Sequence, residues 1–400
     1  MINYNLRNIN KELDKLKMPK EYRKRIVNIE KFLSHDITMQ LSIREDAGKT
    51  TQGLILGIVF YKLYGITTEY LRCDKNQTTK GNIETLYDVV RKNDYINILY
   101  DGYYDDIEYK SNEKKFYLVK KSKNENDETI IEYKSECPLC HVCNNEEYIR
   151  LKSSYNNPLG DFILFDEFLD TQRSTRMQMV EFMNNISTIG RKRPSCHVLM
   201  LGNNVNQYSF WWEEFTIENE ITSLNYGGYI DKITELGTTL YCEMLQISDK
   251  QKEVIKEKKI RFSGFNTPKM ASFNGLQAWQ GSSHPHIPYE ELLNNTPIYN
   301  RIWIKHRNRY IRINIYKDCD FGYYLFLHFS NKPKKEDGIV CTTTPEQYNE
   351  TYGFGEHCLN KNAKEKLKLF KEIMFDNRIY FSTNSVGDLF SDYKKEIRDV

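Results

Sequence analysis

No run of about 18 apolar residues occurs in the 400-residue sequence, so a membrane-spanning helix is excluded. The opening stretch, MINYNLRNINKELDKLKMPKEYRKR, lacks the apolar core of a secretory signal. Charge of one sign is lacking too, since 57 basic and 55 acidic side chains leave a net charge of +2. That balance speaks against a histone-like or arm-type nucleic-acid binder, although a local basic patch can sit inside a neutral total. Cysteine is too scattered for a disulfide framework. Nine residues, an odd number, in a chain without a signal fit reduced cytosolic thiols. Internal repeats and low-complexity tracts are absent. What is present is length and core: 40% apolar residues, and room for two to three domains at about 150 residues each.

The first 37 residues carry Leu13, Leu16, Tyr22, Ile26, Ile29 and Phe32 at steps near three and four, which predicts amphipathic helices packed on the adjoining domain. Met39, Leu41 and Ile43 then alternate with Gln40 and Ser42, a short strand. Arg44-Glu45-Asp46-Ala47-Gly48-Lys49-Thr50 forms a tight stretch before Thr51 to Tyr64, which is apolar almost all round and reads as a buried helix closed by Gly65. Glu69 to Cys73 is the next strand. Residues 95 to 134 read as β-hairpins. Phe162 to Phe165 and Cys196 to Leu201 are continuous apolar runs, the pattern of strands buried on both faces, with a helix over 175–189 between them. Beyond about 230 the chain is charged and then rich in Gly, Ser, Asn and Pro, a linker pattern. Alternating strands after residue 300, a turn at Asn308 and two closing helices give a final α+β domain.

Gly48-Lys49-Thr50 stands where a strand turns into a helix. Phosphate binding needs that geometry: free N–H groups at a helix N-terminus and a lysine reaching the β- and γ-phosphates. Residues 44–51 (Arg44, Glu45, Asp46, Ala47, Gly48, Lys49, Thr50 and Thr51) form the candidate ATP loop, with the Thr50 hydroxyl as a Mg²⁺ ligand. The tripeptide alone is a weak signal. Ile43 stands where the leading Gly of the usual signature would be, the loop carries two acids, and the competing reading is a lysine at an ordinary turn. The acidic pair Asp166-Glu167, ending its apolar run, is the second half such a site needs. Asp166 would orient the Mg²⁺ shell and Glu167 would polarise the attacking water; the competing reading is a helix N-cap. Asn203, ending the next strand, is a candidate γ-phosphate sensor or a turn asparagine. Arg191-Lys192-Arg193, just before that strand, is a solvated cluster or a group reaching a neighbouring subunit's nucleotide.

The succession REDAGKTT, LRCDKNQTTKG, FILFDEFLD and STIGRKRPSCHVLMLGNNV resembles the DNA-packaging (encapsidation) ATPases of small podovirus-type bacteriophages, from about residue 38 to the end. The resemblance implies an α/β fold, an additional-strand P-loop NTPase domain with a mostly parallel sheet, joined to a small α+β nuclease-like domain. With the periodicity and composition read above, the chain divides into a helical extension without a counterpart in the family (1–37), the ATPase domain (38–230), a linker or lid (231–296) and a nuclease-like domain that the resemblance implies contacts DNA or the portal (297–400). The implied activity is ATP hydrolysis in a homo-oligomeric ring that drives double-stranded viral DNA into the empty capsid, in the host cytoplasm at the portal vertex. Implied partners are the portal and a packaging RNA or terminal protein, with no membrane. The family's trans-acting arginine falls on Arg191, with Arg193 in reserve. The family's loop arginine falls on Glu45, one step after Arg44, so Arg44 departs from the pattern.

Cys137-Pro-Leu-Cys140-His141-Val-Cys143 is one dense cluster without a second ligand pair, and reads as reduced thiols rather than as a zinc site. The strands after residue 300 offer Arg301, Lys305, His306, Arg307, Arg309 and Arg312 instead of the clustered carboxylates of a two-metal nuclease, which points to phosphate binding without cleavage. Two rival functions stay open: a helicase-like nucleic-acid ATPase, and a non-hydrolysing, zinc-stabilised DNA-binding or scaffold protein.

Overall fold

The computed structural model describes residues 3–42, 48–73, 78–144, 161–169, 175–189, 196–203, 209–235, 237–245, 284–285, 287, 292, 296–318, 322–333, 338–342, 365, 368–370, 372–374 and 378–396. The chain divides into two units, one of Met1–Val205 with Phe215–Phe265, the other of Asn206–Glu214 with Asn266–Val400.

The first unit begins with three helices, α1 (Leu6–Lys15), α2 (Lys20–Arg23) and α3 (Ile29–Ser34). Asn5 and Asn28 cap α1 and α3, each accepting an N–H three residues on, at 3.1 and 3.2 Å. Of the periodic apolar set, Leu13, Leu16, Ile26, Ile29 and Phe32 are buried, whereas Tyr22 is exposed. The buried strand β1 (Ile37–Ser42) leads through the loop to α4 (Lys49–Tyr64), whose apolar residues share a core with α1 and α3. Gly53 and Gly57 let α4 lie directly on the sheet. A Cβ on Gly53 would stand 2.7 Å from Leu164 Cδ1, and one on Gly57 would overlap Thr68 Oγ1.

β2 (Thr68–Arg72) is followed by the short helices α5 (Lys80–Glu84), α6 (Asp88–Lys92) and α7 (Tyr95–Leu99). The hairpins expected from residue 95 therefore begin later. Ile96 and Leu99, three apart, both reach the core, and Asn97 donates to Asp94 across the first turn at 2.8 Å, which favours a helical turn there. Four strands come next, β3 (Asp106–Lys110), β4 (Lys115–Lys123), β5 (Thr129–Lys134) and β6 (Cys140–Asn144), then β7 (Phe162–Asp166), α8 (Thr175–Ile189) and β8 (His197–Asn203). A short helix, α9 (Glu218–Ser223), precedes β9 (Tyr229–Ile233) and β10 (Thr239–Met244).

The ten strands make one sheet in the order β3-β4-β6-β2-β7-β8-β1-β10-β9, with β5 on β4. The six strands from β6 to β10 along this order run parallel, and β3, β4, β5 and β9 add antiparallel edges. Part of the expected linker thus lies inside the sheet, because β10 pairs with β1. The charged face of β9 hid this: its Asp231 accepts from Lys31 at 2.6 Å and pairs with His35 at 3.0 Å. β8 separates β1 from β7, with Ser42 opposite Asn203 and Asp166 opposite Leu201. The ends of all three strands therefore meet on one edge of the sheet, where open α/β sheets bind ligands.

The second unit holds β11 (Tyr299–His306), β12 (Arg309–Asp318), β13 (Gly322–Ser330), β14 (Ile339–Cys341), β15 (Ile379–Phe381) and α10 (Asn384–Glu396), with sheet order β14-β11-β12-β13-β15. Arg307 and Asn308 both have left-handed φ, 49° and 55°, as a tight two-residue hairpin demands. Isoleucines from β11 and β12 pack with Leu389 and Phe390 of α10. Two of the expected phosphate-binding residues do something else. His306 Nε2 and Arg307 Nε both reach the buried Asp392 Oδ2, at 2.8 and 2.9 Å, so they tie the hairpin to α10.

Candidate functional site

Gly48 caps α4 with φ +69°, a conformation that glycine adopts without strain. A glycine has no side-chain oxygen of its own to cap the first-turn N–H groups of α4. Lys49 is the first helical residue and is 7% exposed. Its ammonium donates to Ser42 Oγ at the end of β1 and to Asn203 Oδ1 at the end of β8, the latter at 2.8 Å. Burial lowers its pKa to about 8, against the opposing pull of the Asp166 and Glu167 carboxylates. Burial costs the charge part of its stability, and a bound anion would restore it.

A second group gathers around Asp166, which is 1% exposed at the end of β7. Its Oδ2 accepts from Thr50 Oγ1 at 2.9 Å and from Tyr70 OH at 2.8 Å, and lies 3.0 Å from Arg72 Nη2. Arg72 also donates through Nε to Tyr70 OH at 2.7 Å and forms an ion pair with Glu167 through Nη1. Burial disfavours the Arg72 cation, but Asp166, Tyr70 and Glu167 outweigh it and hold its pKa above the ordinary arginine value. Tyr70 is pushed well above the ordinary tyrosine value, first by burial and then by Asp166, so it stays a hydroxyl donor. Glu167 itself has φ +55°, left-handed for a residue with a Cβ. Its carbonyl and that of Phe168 accept from the Cys73 thiol at 3.7 and 3.8 Å.

Gly48, Lys49, Thr50, Asp166, Glu167 and Asn203 line one cleft of about 140 Å³, with Thr51 and Leu201 completing it. A larger groove of about 630 Å³ borders β9, but it is an open surface where Lys232 is already paired with Glu220 at 2.8 Å. The smaller cleft holds the convergent donors and acceptors, and it is the candidate site. Its chemistry is defined: cationic and N–H groups for an anion on the Lys49 side, and hydroxyl and carboxylate oxygens for a hard cation on the Thr50–Asp166 side.

Of the residues expected from the sequence, Gly48, Lys49, Thr50, Thr51, Asp166, Glu167 and Asn203 come together here. Arg44, Glu45, Asp46 and Ala47, and likewise Arg191, Lys192 and Arg193, lie outside the described residues. The cysteine cluster is taken up by β6 and the turn before it. Cys140 is buried in the core beside Tyr87, with its thiol pKa raised by burial, while His141 Nδ1 pairs with Glu69 at 3.0 Å. Among the described residues no group of three or more His, Cys, Asp or Glu side chains could hold a metal. Ser42, Tyr70 and Arg72 were not singled out in the sequence. Tyr70 and Arg72 point to one face of β2, two residues apart, and a polar pair so placed becomes legible once β2 is known to neighbour the acidic strand.

A parallel sheet with a strand interposed between the glycine-lysine loop and the acidic strand is the additional-strand P-loop NTPase fold, here followed by a second, smaller sheet unit. The same fold is found in known motors. The chain is similar to the Phi-28 gp11 DNA packaging motor at a TM-score of 0.50 and 14% identity, covering 94% of this chain and 98% of that one. It is similar to the bacteriophage Phi-29 viral genome packaging motor assembly at 0.50 and 14%, covering 93% and 99%. The N-terminal domain of the DNA packaging ATPase from bacteriophage phi29 aligns at 0.40 and 16%, covering 56% and 98%. No family model matches the chain, and no curated protein matches it.

Proposed function

We propose that the protein is an ATP hydrolase that moves double-stranded viral DNA into an empty capsid, working as a ring at the portal in the host cytoplasm. One observation carries the reading: Lys49 and the Asp166-Glu167 pair, 117 residues apart in sequence, share a cleft on a fold common to phage packaging motors. Lys49 and the first turn of α4 bind the β- and γ-phosphates, and Asn203 keeps Lys49 aimed. The Thr50 hydroxyl and Asp166 carboxylate, 2.9 Å apart, suit Mg²⁺ in donor type. When bound, that ion neutralises charge on the phosphates. Glu167 holds the attacking water and takes its proton. A carboxylate paired to a guanidinium is a weaker base, so Arg72 has to release Glu167 before turnover. Arg191 completes the site of the next subunit in the ring. The second unit contacts DNA or the portal.

The test is ATP turnover by the purified chain, with and without duplex DNA and capsids carrying a portal. Lys49→Ala should weaken nucleotide binding itself, whereas Glu167→Gln should bind ATP, hold DNA and turn over at least about 100-fold more slowly. Wild-type turnover by Glu167→Gln would remove the catalytic assignment. Strand separation without net movement of duplex would favour a helicase.

A further inference from the structure

The segment preceding β1 reaches Gly48, which lines the cleft. Arg25, just after α2, is 6% exposed. Its carbonyl accepts from Gln40 Nε2 at 2.9 Å, and Gln40, in the middle of β1, also donates to Glu243 of β10 at 2.8 Å. The main chain of Arg25 is thus fastened to the strand that delivers the site. Its side chain is fixed as well. The guanidinium carbon lies 4.8 Å from the centre of the Tyr22 ring, and Nη1 lies 3.7 Å from where a Cβ on Gly48 would stand. A buried, delocalised cation therefore abuts the residue that opens α4. The loop leading to Gly48 has the sequence Arg44-Glu45-Asp46-Ala47, two acids against one base, so by itself it offers a polyphosphate no surplus of positive charge.

We propose that Arg25 is a positioning residue of the nucleotide site, lent by the amino-terminal segment. It backs the left-handed Gly48 turn and raises the positive potential at the start of α4, where the polyphosphate end of a nucleotide binds. The inference rests on the nucleotide-hydrolase reading above. A buried charge is poorly screened by salt, and its pull grows with the charge of the ligand. A merely structural arginine would weaken all ligands alike, whereas this one discriminates by phosphate count.

The experiment titrates AMP, ADP, ATP and tripolyphosphate into the wild-type chain, Arg25→Gln and Arg25→Lys, with thermal melting as the check on folding. For Arg25→Gln the affinity loss should rise from less than about 2-fold with AMP to about 10-fold with ATP and tripolyphosphate. Arg25→Lys should recover most of it. Equal losses for all four ligands, or none, would overturn the proposal while leaving the nucleotide site intact. If the wild-type chain binds none of the four, the functional reading itself fails. Should Arg25→Gln not fold, Arg25→Met is titrated in its place and decides by the same rule: a loss that grows from AMP to ATP supports the proposal, and equal losses or none refute it.

Discussion

Nucleotide affinity should fall steeply with pH through the titration of Lys49. In the free protein burial holds this amine at about 8, and a bound polyphosphate should return it to the ordinary lysine value near 10.4. Binding then takes up a proton wherever the pH lies between those values. Worked through, affinity at about pH 9.5 is about 20-fold weaker than at about pH 7.5, equivalent to about 1.8 kcal/mol. The sign reverses for stability. Between about pH 8 and 10.4 the unfolded chain holds the Lys49 proton and the folded chain does not, so this group makes unfolding harder as pH rises. Calorimetry near pH 9 in buffers of different ionisation enthalpy should register about 0.9 proton taken up per nucleotide. Lys49→Met should bind weakly and with no such slope. Equal wild-type affinity at the two pH values, or the same slope in Lys49→Met, would refute the argument.

Arg72→Gln keeps a partner for Tyr70 but frees Glu167, so turnover without DNA should rise several-fold and stimulation by DNA should shrink; lower turnover with undiminished stimulation would make Arg72 part of the chemistry. Gly57→Ala gains about 1 kcal/mol of helix propensity but forces a methyl against Thr68 Oγ1, costing about 1–3 kcal/mol, and should lower the melting temperature. Gly81→Ala, with nothing within 4 Å of the added methyl, should leave stability equal or raise it by less than about 1 kcal/mol. Arg191→Ala should bind ATP normally and hydrolyse it poorly, and mixing with Glu167→Gln subunits should restore part of the rate; absence of rescue at every ratio, with weakened binding, would put this arginine in its own subunit's cleft.

The Gly48–Thr50 side of the cleft was legible because it is local: a glycine, a lysine and a hydroxyl stand consecutively at a helix start. The acidic half was legible because an apolar run ending in Asp166-Glu167 marks its own strand end. What stayed hidden is long-range. Nothing in the linear sequence tells that Tyr70 and Arg72 of β2 lie beside β7, since that neighbourhood is set by strand order. The same holds for β9 and β10, whose Asp231 and Lys232 look like linker charges until Lys31, His35 and Glu220 are seen to pair with them. At His306 and Arg307 a basic run suggested phosphate binding, and one buried carboxylate on α10 turned both inward.

The left-handed backbone at Glu167 has a consequence for how this chain would drift under selection. Most residues with a Cβ give up about 1 kcal/mol to sit there; glycine does not, and asparagine gives up less. On the function proposed above, a library screened for heat resistance alone should therefore be enriched in Glu167→Gly and Glu167→Asn, clones that melt later and hydrolyse no ATP. Under that proposal position 167 is where thermostability and hydrolysis diverge, and the persistence of glutamate there would record selection for the second over the first.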